Sequence, residues 1–358
     1  MRIVFLYPLN KDAFDFLRDK LPKDIEIIAK IRGEDYQGIP PNQDPEIIAA
    51  VKDAEILLGP YVTEEILQQA TPQFDGKLKV ILIPWTGVDR LDLNLTKKFQ
   101  VPVANSHGNA RTIAEFGIAL LLTAAKNIIH HDKLLRNGDW SSRFKDYPSI
   151  NITGKTIGLL GFGAIGTECA KMLKCFDVRL IACRRSLEKT TVAQKTLVEK
   201  VYAYTEVHEF LCQADAIISS LPLTAETKGF LSDKEFAAMK DGVILINVGR
   251  GPTIDEKALY NALLNGKLFA AGLDPQWNYP PRRETKNKKG EIDSEKDLKI
   301  FPSNYPLHEF DNVVLSPHRA GHVAEGYERA HWQDVIENIL RIYQGLEPEN
   351  LIDIEKGY

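Results

Sequence analysis

The chain has 358 residues, 44% of them hydrophobic and 26% charged, with a formal net charge of −4. This balance fits a globular protein of two domains and supplies no basic field for nucleic acid. The opening MRIVFLYPLN is too short for an export signal, and the longest apolar run, Ile113–Ala125, falls short of the roughly 20 residues a membrane span needs. Along the first hundred residues, short apolar runs at Ile3–Tyr7, Ile25–Ala29, Glu55–Leu58 and Lys79–Ile83 predict buried strands. Helical patterns at Ala13–Leu21, Pro45–Ala54 and Thr63–Gln69 separate them. This alternation predicts a parallel sheet covered by helices.

A second series opens with a long helix expected over Arg111–Ile129, then a polar stretch with turn residues at Asn137, Gly138 and Asp139. Strands are expected at Thr156–Leu160, Val178–Cys183, Ala216–Ser220, Val243–Asn247, Phe269–Leu273 and Val313–Ser316, the pattern of a doubly wound nucleotide-binding sheet. Twelve of the twenty residues of Pro281–Ile300 are charged, so this segment is read as a solvated loop. A last helix is expected at Ala324–Gln344, returning to the first domain. The cysteines, Cys169, Cys175, Cys183 and Cys212, lack metal-ligand spacing. They are read as reduced, mostly buried and cytoplasmic, with no metal site.

The sharpest motif is Gly161-Phe162-Gly163-Ala164-Ile165-Gly166, fed by one strand and followed by a helix, Thr167–Phe176, and a second strand. Gly161 allows the tight turn. Gly163 lets backbone N–H groups approach a pyrophosphate, and Gly166 lets helix and strand pack closely. Where an NAD site usually places an acidic residue, this chain has Arg184-Arg185-Ser186. Two guanidinium groups and a hydroxyl suit a ribose 2′-phosphate, so NADP is expected over NAD.

The order GLLGFGAIG, Leu221-Pro222-Leu223-Thr224, Asn247-Val248-Gly249-Arg250-Gly251, Ala271-Gly272-Leu273-Asp274 and Ser316-Pro317-His318-Arg319-Ala320-Gly321 resembles the D-isomer-specific 2-hydroxyacid dehydrogenases over about residues 80–345. The resemblance implies an α/β protein of two Rossmann-like or flavodoxin-like domains with parallel sheets. A cofactor domain, 105–321, is inserted into a discontinuous substrate domain, 1–104 plus 322–358, with the active site in the cleft between them. It also implies a homodimer moving a hydride between NAD(P)H and a small 2-oxo or 2-hydroxy acid; the charge balance and the short apolar runs predict no nucleic-acid or membrane partner. By the same resemblance Arg250 binds the substrate carboxylate and polarises its ketone, as a planar fork can. His318 is the acid/base, in keeping with an imidazole that titrates near neutrality. Leu221, Pro222, Thr224, Asn247, Val248, Gly249, Asp274 and Gly321 join the cofactor site, and backbone groups of Gly87 and Val88 form a second carboxylate-binding point.

One position departs from the family pattern. The carboxylate expected five residues after Asp274 to orient the histidine is replaced by Tyr279. Three outcomes are open: Glu284 or Gln276 supplies the contact, the Tyr279 hydroxyl orients His318, or catalysis is weak. Without a carboxylate the imidazole is expected to release its proton more easily. Tyr279 is also expected to line the substrate cleft. A cofactor-sensing protein resembling the C-terminal-binding corepressors is the alternative reading.

Overall fold

A computed structural model describes residues 1–144, 149–280, 299–323 and 327–358. Two parallel sheets organise it. The first contains β1 (Arg2–Phe5), β2 (Glu26–Ile28), β3 (Ile56–Leu58), β4 (Val80–Ile83) and β5 (Val103–Asn105), in the order β2-β1-β3-β4-β5. The second contains β6 (Thr156–Leu160), β7 (Arg179–Arg184), β8 (Lys200–Ala203), β9 (Ala216–Ser219), β10 (Val243–Asn247), β11 (Leu268–Leu273) and β12 (Val313–Leu315), in the order β12-β11-β10-β9-β6-β7-β8. Every strand pair in both sheets is parallel.

The central strands are unbroken apolar runs because helices cover both faces of a parallel sheet. Val80–Ile83 and Val243–Asn247 are buried along their full length. Helix starts follow from short polar caps. Asn10 Oδ1 accepts from the Ala13 N–H at 2.9 Å, Thr63 accepts from Ile66, and Asp255 accepts from Ala258.

Contacts cluster the chain into two compact units, one built on Met1–Asn109 with Val323–Tyr358 and the other on Ala110–Tyr279 with Ile300–His322. In the first, Trp332, Val335, Ile339 and Ile342 of the helix Tyr327–Tyr343 pack with Ile3, Phe5 and Leu17 on one face of the sheet. In the second, the helix Ala110–Ala125 packs beneath β6, β9, β10 and β11 through Ala114, Leu120 and Leu121.

Three expectations need correction. The helix expected over Arg111–Ile129 is two helices, Ala110–Ala125 and Ile128–Arg136, bent by 65°. Asn127 sits between them at φ 51°, a left-handed conformation that asparagine tolerates better than most residues. The helix after the glycine turn begins at Ala164, inside the motif. Two of the four cysteines are exposed, Cys175 and Cys212; only Cys169 and Cys183 are buried, and burial pushes both thiols up to about 12. No single helix among the described residues is long and apolar enough to cross a membrane, and no metal-binding group of His, Cys, Asp or Glu occurs among them. Apart from Lys299 and Ile300, the charged segment and Glu284 lie outside the described residues.

Candidate active site

The second unit concentrates the expected residues at the carboxyl ends of its strands, where open α/β sheets bind ligands. The glycine turn leaves β6. Gly161 has φ 98°, and a Cβ there would meet Ser220 Oγ at 2.9 Å. A Cβ on Gly166 would lie 2.2 Å from the Gly161 carbonyl oxygen. These two glycines are required by internal packing. Gly163 differs, because a Cβ there would meet nothing within 4 Å. Its open side, together with a ten-residue helix whose N-terminus has no side-chain cap, leaves N–H groups for an anion. The turn therefore fits a dinucleotide pyrophosphate. Phe162 and Ile165 are buried beneath it, and Ala164 is the first helical residue.

The loops beside this turn are pinned. After β9, Leu221 is fully buried, the Thr227 hydroxyl donates to the Pro222 carbonyl at 2.5 Å, and the Thr224 N–H donates to Thr227 Oγ1 at 2.8 Å. After β7, Arg184 Nη1 donates to the Lys189 carbonyl, Thr190 Oγ1 and Gln194 Oε1. Gln194 Nε2 donates in turn to Thr167 Oγ1 at 2.8 Å and to the Phe162 carbonyl, so Arg184 is tied back to the glycine turn. Arg185 pairs with Glu226 at 2.8 Å. Ser186 is half-buried and begins the turn Leu187–Lys189. Gln194 was not foreseen, since a lone glutamine ten residues beyond the arginine carries no motif.

Three adjacent strands deliver the remaining residues. At the end of β10, Asn247 is fully buried; its Oδ1 accepts the Gly249 N–H and its Nδ2 donates to the Arg250 carbonyl, both at 3.0 Å. Arg250 is half-buried, and its Nη1 donates to the Gly249 carbonyl at 2.8 Å. Its glycine neighbours have no room for a side chain: a Cβ on Gly249 would lie 2.5 Å from the Leu221 carbonyl oxygen, and one on Gly251 would lie 2.3 Å from that of Gln276. Val248 is buried against the helix Ala110–Ala125.

At the end of β11, Asp274 is 1% exposed. Its oxygens accept from Ser316 Oγ at 2.6 Å, from the Arg319 N–H at 2.7 Å and from the Ala320 N–H at 3.1 Å. It thus fixes the turn that follows β12, a positioning role its expected place at the cofactor did not include. On that turn His318 has φ 59°, its N–H donates to the Asp274 carbonyl, and Gly321 follows at its end.

Tyr279 reaches the histidine. Its hydroxyl accepts the Gln276 N–H at 2.9 Å and lies 3.0 Å from His318 Nδ1. The Gln276 amide nitrogen is committed elsewhere, donating to the Leu273 and Ser316 carbonyls at 2.9 Å, and its Oε1 forms no hydrogen bond with His318 among the described residues. Among the open alternatives, the hydroxyl of Tyr279 is the contact the described residues provide. A phenol carries one proton and two lone pairs, so it can donate to Nδ1 of a neutral imidazole or accept from the imidazolium. A carboxylate only accepts, and favours the charged ring.

In the first unit, Gly87 and Val88 follow β4. The Asn105 amide donates to the Thr86 carbonyl at 2.6 Å, holding this loop to the end of β5, and Val88 is buried. Trp85 packs edge-on against Tyr7, with ring centroids 5.7 Å apart, in keeping with a packing role. Burial holds the His107 imidazole below its ordinary range, partly offset by the charge of Asp334.

Residues 118–320 match the model of the D-isomer-specific 2-hydroxyacid dehydrogenase NAD-binding domain, more than half of the chain. The chain belongs to this family. It is 30% identical to the D-3-phosphoglycerate dehydrogenase of Methanocaldococcus jannaschii over 358 residues, covering 99% of this chain and 60% of that protein. The chain therefore spans about three-fifths of the length of that relative. It is also 30% identical to the hydroxypyruvate reductase of Thermotoga maritima, over 95% of this chain and 96% of that one. A crystal structure of a Pyrococcus horikoshii protein superimposes with a TM-score of 0.74 at 26% identity, covering 98% and 95% of the two chains. Like other members of the family, the chain carries a nicotinamide-cofactor domain with a doubly wound parallel sheet.

Proposed function

We propose that the protein is a reductase of small 2-oxo acids that yields D-2-hydroxy acids, with Arg250 and His318 as its catalytic residues and NADP preferred to NAD. The observation that carries this reading is the delivery of Arg250, Asp274 and His318 by β10, β11 and β12, three adjacent parallel strands, in the same sheet whose β6 bears the glycine turn. Similarity to glyoxylate and hydroxypyruvate reductases supports the substrate class.

The bound nicotinamide supplies the hydride. The Arg250 fork receives the substrate carboxylate and polarises the ketone oxygen. His318 gives a proton to that oxygen as it becomes an alkoxide, and the Tyr279 hydroxyl follows the ring through both of its protonation states. Asp274 holds the His318 turn and, with Leu221, Pro222, Thr224, Asn247, Val248, Gly249 and Gly321, borders the cofactor. Gly87 and Val88 offer backbone groups to the carboxylate, and Tyr279 borders the substrate.

On this reading Ala110–Tyr279 with Ile300–His322 carries the cofactor, and Met1–Asn109 with Val323–Tyr358 contributes to substrate binding. The protein works as a cytoplasmic homodimer. The exposed side chains of Ile128, Ile129, Leu135, Trp140 and Phe144, gathered within seventeen residues, support self-association of the cofactor unit.

The test is oxidation of NADPH and of NADH, in parallel, with glyoxylate, hydroxypyruvate and pyruvate, with chiral analysis of the product and light scattering for the oligomer. D-product formed faster with NADPH is expected. Tight cofactor binding without turnover on any acid would favour the sensing alternative.

A further inference from the structure

Two arginines, Arg184 and Arg185, stand at the end of β7. Arg184 donates through Nη1 to neutral oxygens of its own loop and, through Gln194, is tied to the glycine turn. Arg185 makes an ion pair with Glu226. Glu226 belongs to the loop after β9, and β7 and β9 flank β6 on opposite sides. All three strands are parallel, so their carboxyl ends share one edge of the sheet. The ion pair therefore joins the loops on either side of the glycine turn, across the crevice where the strand order reverses.

Glu226 is presented by a rigid turn. The Thr224 N–H donates to Thr227 Oγ1 at 2.8 Å, the Thr227 N–H returns a bond to Thr224 Oγ1 at 3.2 Å, and the Lys228 N–H donates to the Thr224 carbonyl at 3.0 Å. The Arg185 side chain is 22% exposed and that of Glu226 58%. An ion pair this open to water is weak. A phosphate monoester carries up to two charges and takes a guanidinium bidentately, so it outcompetes a single exposed carboxylate.

We propose that the Arg185–Glu226 ion pair is a strap across the dinucleotide crevice, and that Glu226 is a specificity residue whose carboxylate competes with a ribose 2′-phosphate for Arg185. This rests on the reading that the arginine pair recognises that phosphate. The strap lowers affinity for a dinucleotide that carries the ribose 2′-phosphate and not for one that lacks it. The former must displace Glu226 from Arg185, and the latter leaves the pair intact.

The test is calorimetric titration of the full chain with adenosine 2′,5′-bisphosphate and with AMP at fixed ionic strength. It compares the wild type, Glu226→Gln, Arg185→Ala, the double variant and Arg184→Ala, with melting of each ligand-free chain as a check on folding. Glu226→Gln is expected to tighten the bisphosphate about two- to fivefold, the range of an exposed ion pair, and to leave AMP unchanged. In the Arg185→Ala background that gain should vanish. Equal changes for both ligands, or a gain that persists without Arg185, would overturn the strap. If Glu226→Gln changes nothing while either arginine variant weakens only the bisphosphate, the strap fails and the cofactor reading stands. If no variant distinguishes the two ligands, the cofactor reading fails and the strap with it.

Discussion

At the end of β6 the chain makes a candidate anion cradle from backbone, and steric exclusion dictates the residues: Gly161 and Gly166 have no space for a Cβ, while Gly163 is open. At the end of β12 it places a candidate proton donor with side chains, through Asp274, Tyr279 and His318. A site built from backbone is fixed by packing and tolerates few sequences. One built from side chains can exchange a partner, and here a phenol stands where the family pattern has a carboxylate. The first kind is legible as a motif; the second shows only once the contacts are known.

The largest expected effect breaks the backbone site. Gly166→Val would drive a side chain into the Gly161 carbonyl. Cofactor binding by calorimetry should be abolished, with a loss of about 1–3 kcal/mol in urea unfolding. Wild-type affinity would show that the turn is not the cradle. Tyr279→Phe keeps the ring and removes the hydroxyl between Gln276 and His318. Turnover should fall by up to about tenfold, the worth of one hydrogen bond; unchanged turnover would mean that another group orients the histidine.

Tyr279→Glu sharpens the comparison by restoring the family's carboxylate. A neighbouring negative charge favours the imidazolium, so the basic limb of the reduction profile should move to higher pH by about one unit. An unmoved limb would separate Tyr279 from the proton donor. The smallest effect lies in the first unit. Because burial lowers His107, the unfolded chain takes up that proton first as pH falls, and folded stability declines from about pH 6.5 downward. His107→Gln should flatten that decline in melting temperature between pH 7 and 5; an identical slope would contradict it.

Much of the fold was legible because parallel strands buried on both faces announce themselves as apolar runs, as in Val243–Asn247. The strands that escaped lack that signal. Val103–Asn105 is three residues long and directly follows Pro102, and Lys200–Ala203 is an edge strand with only Tyr202 buried. The break at Asn127 escaped because the apolar pattern runs on through Ile128 and Ile129, and only the backbone conformation reveals the bend. In the site, Arg250 and His318 could be named from their motifs. The commitment of Arg185 to Glu226, forty-one residues away, and the tie of Arg184 through Gln194 depend on which loops the sheet order brings together.

The most direct test of the central claim is the steady-state rate of NADPH oxidation with glyoxylate for the wild type, Arg250→Ala and His318→Ala, with cofactor affinity measured on the same preparations. Removal of either side chain should lower kcat/KM by about two to four orders of magnitude and leave cofactor affinity within a few-fold of wild type. Turnover that survives in His318→Ala at the wild-type rate would contradict the assignment of the histidine turn as the proton donor.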